Sequence, residues 1–251
     1  MKKYIGVAWI ALLALPFAGM AEEAKGTNVA WKSSVSLGAT YKSGNTEKSL
    51  FTMNLKGDRY AEKSDWLSSL YGEHGKTEGD QTEGQLRGQS DYRYKFGSKN
   101  FFGGVFGEGY YDVIKGIRTR LKLGPNIGYY FINKDTMKLD ASFGVNAVYE
   151  RTATTEENFA EYRAALNYLW EFSKMGSYYL NLEYTANVED TDDGNGLLVT
   201  GVKSKLSEQL AVFIEVRDEY DNTPPVVVTG PPVEYANHAD VTVVAGLTYD
   251  F

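Results

Sequence analysis

The sequence predicts an all-β protein: a single antiparallel transmembrane β-barrel of about 12 strands behind an N-terminal signal peptide. Three observations favour this fold. Segments in which apolar and polar residues alternate recur along the 251-residue chain. Aromatic residues lie at both ends of these segments, and the chain ends on an alternating segment closed by Phe251. Such alternation turns one face of each strand toward lipid and the other toward a polar interior.

Residues 1–21 have the features of a secretory signal peptide. Lys2 and Lys3 precede an apolar run from Ile5 to Phe17, and small residues follow that run. The run is shorter than the roughly 20 apolar residues that a membrane-spanning helix needs. The sequence therefore predicts export, cleavage after Ala21 and one mature barrel domain, residues 22–251.

Composition excludes several classes of protein. The chain has no cysteine, so it is neither an acylated lipoprotein nor a disulfide-stapled secreted domain. Without Lys2 and Lys3, 24 basic residues stand against 33 acidic residues. A chain with this acidic balance lacks the basic face that nucleic acid binding requires.

Twelve alternating segments can be placed between Trp31 and Phe251. The clearest has an apolar face of Tyr178, Leu180, Leu182, Tyr184, Ala186 and Val188, with polar residues between them. Pro125 lies within the sixth segment and predicts a bulge or a weak point there, because proline cannot donate to a ladder. The third and fifth segments are less clear, so a barrel of ten strands stays open.

The connections between segments differ at alternate junctions. Tight turns such as residues 133–136 alternate with more variable junctions such as Lys76 to Thr82 and Asp221 to Ala236. Short turns on one side and longer loops on the other are typical of outer-membrane barrels. This pattern predicts both termini on the periplasmic side.

Aromatic residues on the apolar face predict two membrane-interface belts. The predicted interface residues are Tyr41, Phe96, Tyr111, Phe131, Tyr149, Trp170, Tyr178, Tyr184, Tyr220 and Phe251. A secreted soluble β protein is the alternative. It has no need of aromatics at strand ends, or of strands of about 12 residues when soluble strands average roughly 5 to 6.

The last segment places Leu247, Tyr249 and Phe251 on one face. It resembles the terminal strand of bacterial outer-membrane barrels, by which the barrel-assembly machinery takes hold of the chain. The sequence therefore predicts three partners: this machinery, outer-membrane lipid and lipopolysaccharide. The predicted location is the outer membrane of a Gram-negative bacterium.

A family resemblance follows from these features together. The segment Ser34 to Lys42 running into Ser43-Gly44-Asn45-Thr46, the tyrosine-rich strands and the Tyr249-Asp250-Phe251 end resemble the salt-induced outer-membrane proteins. This is a Gram-negative domain family of unknown function. The resemblance implies the fold, the location and an envelope role under osmotic or similar stress, with no catalytic residue and no cofactor.

Charged residues on the opposite face predict the lining of the lumen. The candidates are Arg87, Arg93, Lys95, Arg118, Arg120, Lys122, Asp140, Glu161, Arg163, Glu183, Glu215 and Arg217. Two hypotheses fit them. The barrel is a narrow passive channel for small polar solutes, or the charges pair and fill a narrow interior.

An enzyme is a further alternative. Outer-membrane hydrolases of lipids or peptides place a histidine beside a serine or an acidic group at the outer rim. The chain contains two histidines, His74 and His238, and no residue is marked as a nucleophile. The sequence therefore favours a non-enzymatic protein without a metal or another cofactor, unless one of these histidines faces a serine.

Overall fold

A computed structural model of the protein describes residues 31–42, 48–97, 100–223, 226–228, 234–235 and 238–251. The predicted signal peptide and the Gly44-Asn45-Thr46 turn lie outside these ranges. Within them, no helix is long and apolar enough to cross a membrane.

The described residues form β-strands joined by turns and loops. In chain order the strands are β1 (Trp31–Lys42), β2 (Lys48–Tyr60), β3 (Ser64–Thr77), β4 (Asp80–Phe96), β5 (Phe101–Asp112), β6 (Ile117–Lys134), β7 (Met137–Thr152), β8 (Glu156–Trp170), β9 (Gly176–Asn187), β10 (Gly194–Lys205), β11 (Leu210–Asp221), β12 (Val226–Val228), β13 (Glu234–Tyr235) and β14 (Ala239–Asp250).

Twelve strands of the described chain close into one barrel, in the order β1-β14-β11-β10-β9-β8-β7-β6-β5-β4-β3-β2. All neighbours are antiparallel, and β1 closes on β14 with Leu37 opposite Leu247. The short strands β12 and β13 pair only with each other. The predicted twelve-stranded barrel is confirmed. The ten-stranded alternative is wrong because β3 and β5 are complete strands of 14 and 12 residues.

Alternation along β6 shows how the sequence specifies the two faces of the wall. Leu123, Ile127 and Phe131 are 64%, 66% and 61% exposed, whereas the intervening Asn126 and Tyr130 are buried. The wall is therefore apolar outside and polar inside, the reverse of a water-soluble barrel. This reversal disfavours the secreted soluble alternative.

The barrel has two distinct ends. We call the end that holds Trp31 and Asp250 the terminal end, and the end that holds the β3–β4 turn, Asp221 and His238 the loop end. The loop predicted between Lys76 and Thr82 is instead a two-residue turn. Glu78 and Gly79 have φ values of 53° and 93°, as the tight turns between twisted antiparallel strands require.

Of the two outcomes predicted at Pro125, the local weak point is confirmed and the bulge is wrong. Pairing with β7 is interrupted at Gly124 and Pro125, but it has the same register on either side. Pro125 still pairs with Val105 of β5. The missing N–H of proline thus leaves a local gap in one ladder without inserting a residue.

Aromatic side chains surround the outside of the terminal end. They form edge-to-face or tilted contacts between Trp31 and Trp66, Trp66 and Tyr92, Phe101 and Tyr129, Tyr129 and Phe131, Trp170 and Phe172, and Tyr249 and Phe251. Of the predicted interface residues, Phe96, Tyr111, Phe131, Trp170, Tyr184, Tyr220 and Phe251 are exposed, and Tyr149 and Tyr178 are half-buried. The side chain of Tyr41 lies outside the described part.

Candidate functional site

The interior of the barrel holds a chain of alternating charges. We call it the central charge layer, and it consists in order of Glu161, Lys122, Glu108, Arg87, Glu183 and Arg163. Lys122 Nζ lies 2.9 Å from Glu161 and 3.7 Å from Glu108. Arg87 Nη2 lies 2.6 Å from Glu108 and also pairs with Glu183, which is 2.6 Å from Arg163 Nη2. Each charge is thus compensated by a neighbour, as buried charges require.

The layer spans the lumen because some of its partners come from opposite walls. Arg87 is on β4 and Glu183 is on β9, five strands apart around the barrel. A second bridge crosses nearby, where Gln85 Nε2 of β4 donates to Glu219 of β11 at 3.0 Å. Direct contacts between opposite walls leave a narrow interior.

Glu219 also binds a residue of the 113–116 loop. Lys115 Nζ lies 3.1 Å from its carboxylate. Burial of the Lys115 ammonium lowers its pKa, but the carboxylates of Glu219, Asp112 and Asp221 together raise it, so the net shift is upward. This loop is therefore tied to the barrel interior by a charged pair.

A second charged cluster lies nearer the terminal end. Arg93 binds Asp91 at 2.8 Å and Asp140 at 3.0 Å. Lys95 lies 2.7 Å from Asp65, which also accepts a 2.6 Å hydrogen bond from the hydroxyl of Tyr130. All of these residues except Lys95 are more than 90% buried.

The other half of the lumen, lined by β1, β2, β11 and β14, is packed differently. Beside charged residues such as Lys56 and Arg217, it contains an apolar cluster of Leu50, Phe213 and Val244. A Cβ atom built on Gly38 would meet Val244 and lie 2.6 Å from Thr52 Oγ1. Gly38 thus leaves room for the side chains of Thr52 and Val244, which lie on the neighbouring strands β2 and β14.

Two cavities lie on either side of these contacts. A terminal-end vestibule of about 630 Å³ is lined by Arg87, Arg163 and Glu183 of the central charge layer. A loop-end vestibule of about 480 Å³ is lined by Glu161 of the same layer. The central charge layer therefore separates the two vestibules.

The vestibules differ in charge. Among the described residues, the terminal-end vestibule is lined by ten basic and eight acidic side chains. The loop-end vestibule is lined by one basic residue, Arg120, and six acidic ones: Glu150, Glu157, Glu161, Glu189, Asp193 and Asp221. Arg120 pairs with Glu150, and Glu157 lies directly opposite Glu150 on the β7–β8 ladder. The loop-end vestibule thus carries an excess of negative charge.

The structure brings eleven of the twelve predicted lumen residues into the interior. Five belong to the central charge layer, and Arg93, Lys95 and Asp140 belong to the terminal-end cluster. Arg120 pairs with Glu150. Glu215 accepts a 2.7 Å hydrogen bond from the Tyr179 hydroxyl, and Arg217 lies 3.1 Å from Glu219.

The prediction that Arg118 lines the lumen was wrong. Arg118 is exposed, and the pairing of β6 with β7 shifts register between Ile117 and Thr119, where Arg118 is the extra residue. Arg151 follows the inward-facing Glu150 on β7 and therefore faces outward. In the bulge, both Arg118 and Thr119 lie opposite Arg151. The side chain of Arg118 is thereby turned to the outer face as well.

Sequence reasoning missed several contributors to the interior, among them Glu108, Gln85 and Asp65, which binds Lys95. Glu108 bridges Arg87 and Lys122, and Gln85 binds Glu219. Glu108 lies in the glycine-rich β5, whose alternation is weak because glycines occupy several of its positions. Phe102 and Phe106 are both buried, and Glu108 lies on the same face of β5 because it is separated from them by an even number of positions. This alternation could have placed Glu108 inside the barrel.

Within the part of the chain that the structure describes, no hydrogen bond joins either histidine to a serine. His74 is exposed on β3. His238 Nδ1 donates to the backbone oxygen of Asp221 at 2.9 Å, in the tautomer that this contact requires, and its ring stacks on Tyr220. The described residues contain no group of three or more histidine and acidic side chains that could hold a metal ion.

Comparisons with known proteins agree with this architecture. The family model described as "Protein of unknown function, DUF481" matches residues 35–251. The NanC porin structure aligns with a TM-score of 0.55 at 9% identity, covering 87% of this chain and 100% of that chain. The COG4313 outer membrane channel from Pseudomonas putida F1 aligns with a TM-score of 0.48 at 11% identity, covering 91% and 97%. No curated protein matches. The NanC likeness shows a shared fold.

Proposed function

The chain belongs to the DUF481 family of proteins of unknown function, and we propose that it is a non-enzymatic outer-membrane barrel that acts as a narrow passive channel for small polar solutes. One observation carries this proposal. Two vestibules approach each other from opposite ends of the barrel and are separated by the central charge layer. A solute that enters either vestibule meets charged groups.

The central charge layer sets the expected size limit. Arg87 and Glu183 hold each other across the lumen, so a permeating ion or small solute must exchange with one of these partners. Charged side chains that line a constriction replace part of the hydration shell of a passing ion. We therefore expect a low conductance and exclusion of larger solutes.

The loop-end vestibule adds a preference of charge. Its six carboxylates and single guanidinium attract cations and repel anions, because an acidic cleft with low-dielectric walls focuses the field. The terminal-end vestibule is close to balance. We therefore expect small cations to pass more readily than small anions.

The remaining parts of the proposal concern placement. Cleavage after Ala21, termini in the periplasm, recognition of Leu247, Tyr249 and Phe251 by the assembly machinery, and contact with lipopolysaccharide are supported by the sequence patterns. The exposed apolar outer face supports a lipid environment. The role under osmotic stress rests on the family resemblance, and measurement of expression at raised salt would test it.

Conductance tests the channel. The mature chain, residues 22–251, is refolded in detergent and added to planar bilayers, with folding verified by β-sheet circular dichroism. We expect discrete current steps that are small for a twelve-stranded barrel. Electrical silence from correctly folded, inserted protein would contradict the channel and favour a filled structural barrel.

A further inference from the structure

The bulge in β6 creates a basic pair on the outside of the barrel. The register shift between Ile117 and Thr119 turns Arg118 outward, and Thr119 pairs with Arg151 of β7. Arg118 and Arg151 are both exposed. Two guanidinium groups thus lie on adjacent strands at the loop end.

These two arginines differ from those inside the barrel. The five interior arginines Arg87, Arg93, Arg120, Arg163 and Arg217 each pair with a carboxylate. Within the described part of the chain, neither Arg118 nor Arg151 forms an ion pair. One carboxylate, that of Glu156, lies opposite Arg151 on the β7–β8 ladder, and it also interacts with the hydroxyl of Tyr149. The pair therefore lacks a full counter-charge from the protein.

The residues around Arg118 and Arg151 indicate which anion could balance their charge. Tyr149 lies on the same face of β7 as Arg151, two residues toward the membrane centre, and the exposed Tyr111, Val113 and Ile114 adjoin the start of β6. Exposed aromatic and apolar side chains next to cationic ones mark the level where hydrocarbon meets lipid headgroups. A guanidinium binds phosphate through two parallel hydrogen bonds.

We propose that Arg118 and Arg151 bind a phosphate group of an outer-leaflet lipid, at the site that the β6 bulge creates on the outer face of the barrel. The proposal rests on the membrane placement of the loop end and is independent of whether the lumen conducts. A bulge here re-aims one side chain. Without it, Arg118 would continue the inward face of β6 and meet Arg120 and Lys122.

Lipid binding by the refolded mature chain tests the site. The protein in zwitterionic micelles is titrated with lipid A that carries two phosphates, and bound lipid is counted by native mass spectrometry. We expect the double variant Arg118→Gln/Arg151→Gln to bind about tenfold more weakly, equivalent to about 1.4 kcal/mol. Glu156→Gln removes a repulsive carboxylate and should strengthen binding.

A matched control separates local binding from general charge. Lys76→Gln removes an exposed positive charge of β3 at the same end and should leave lipid binding unchanged. Equal binding by the double variant and the parent, or equal binding of dephosphorylated lipid A, would overturn the proposal. So would binding of inorganic phosphate without binding of the lipid. Circular dichroism verifies that each variant is folded.

Discussion

The guanidinium of Arg87 on β4 pairs with the carboxylate of Glu183 on β9, across the barrel interior. The two residues are 96 positions apart in the chain, and only closure of the barrel brings them together. Their pair completes the central charge layer that separates the two vestibules. The layer therefore serves two purposes: it compensates buried charges, and it narrows the path between the ends.

Stability should depend on both partners of this pair. Arg87→Gln leaves Glu108 without its main counter-charge and leaves Glu183 with Arg163 alone, and loss of one partner of a buried pair costs roughly 3–5 kcal/mol. The double variant Arg87→Gln/Glu183→Gln should lose less than the sum of the single changes. Urea unfolding in micelles measures these differences. Lys115→Gln, at a half-exposed pair, is the control and should cost less than about 1 kcal/mol. Additive effects would show that the pair is not coupled.

Charge selectivity should follow the loop-end vestibule. Under a salt gradient, the reversal potential of the channel should have the sign of a cation preference. Glu157→Gln/Glu189→Gln should reduce it, whereas Glu208→Gln, at the terminal end, should change it little. The preference should fade between 0.1 and 1 M salt, where the Debye length falls from about 10 to about 3 Å. A reversal potential of the opposite sign would contradict the assignment.

Packing around Gly38 should be intolerant of a side chain. Gly38→Ala places a methyl group against Val244 and Thr52 and should destabilise the barrel by roughly 1–3 kcal/mol. The control is Gly107→Ala, whose new atom would lie 3.7 Å from Leu123 Cδ1, an ordinary contact. Both substitutions replace glycine by alanine and reduce the conformational entropy of the unfolded chain by the same amount. A difference between their unfolding midpoints therefore reports a difference in the folded states. Equal midpoints would exclude close packing at Gly38.

If the assembly machinery recognises the last strand, a change at Phe251 should impair insertion of the barrel in cells but not its refolding in vitro. Phe251 is 71% exposed and packs edge-to-face on Tyr249. Phe251→Ala should reduce the amount of barrel in the outer membrane while leaving refolding of the purified chain unchanged. Phe131→Ala, another exposed aromatic, should assemble normally. Equal membrane levels of the two variants would remove Phe251 from the assembly signal.

Much of the fold follows from local pattern. The two-residue period fixes which side chains face lipid on β6 and β9, because successive residues of a strand point to opposite faces. The strand count stayed open between twelve and ten because the alternation is weak in β3 and in the glycine-rich β5, although Phe102 and Phe106 of β5 lie on one face. The same two-residue alternation was sufficient to predict that eleven charged residues face the barrel interior.

The rest depends on register and closure, which one sequence does not reveal. Arg118 is the extra residue of the β6 bulge and faces outward, whereas Arg120, which has the same side chain, faces inward. Sequence alone does not distinguish the two arginines. Glu78 takes a positive φ that is unusual for its residue type, so the turn after β3 is tighter than its composition predicts. Partners such as Arg87 and Glu183 can be matched only when the barrel is closed.

Single-channel current through the parent chain and the Arg87→Gln/Glu183→Gln variant tests the central claim most directly. The account predicts small discrete steps from the parent and larger steps from the variant, because the variant removes the pair that spans the lumen. Folding of both proteins is verified before insertion. Identical conductance in the two proteins, or silence from both, would contradict a channel constricted at the central charge layer.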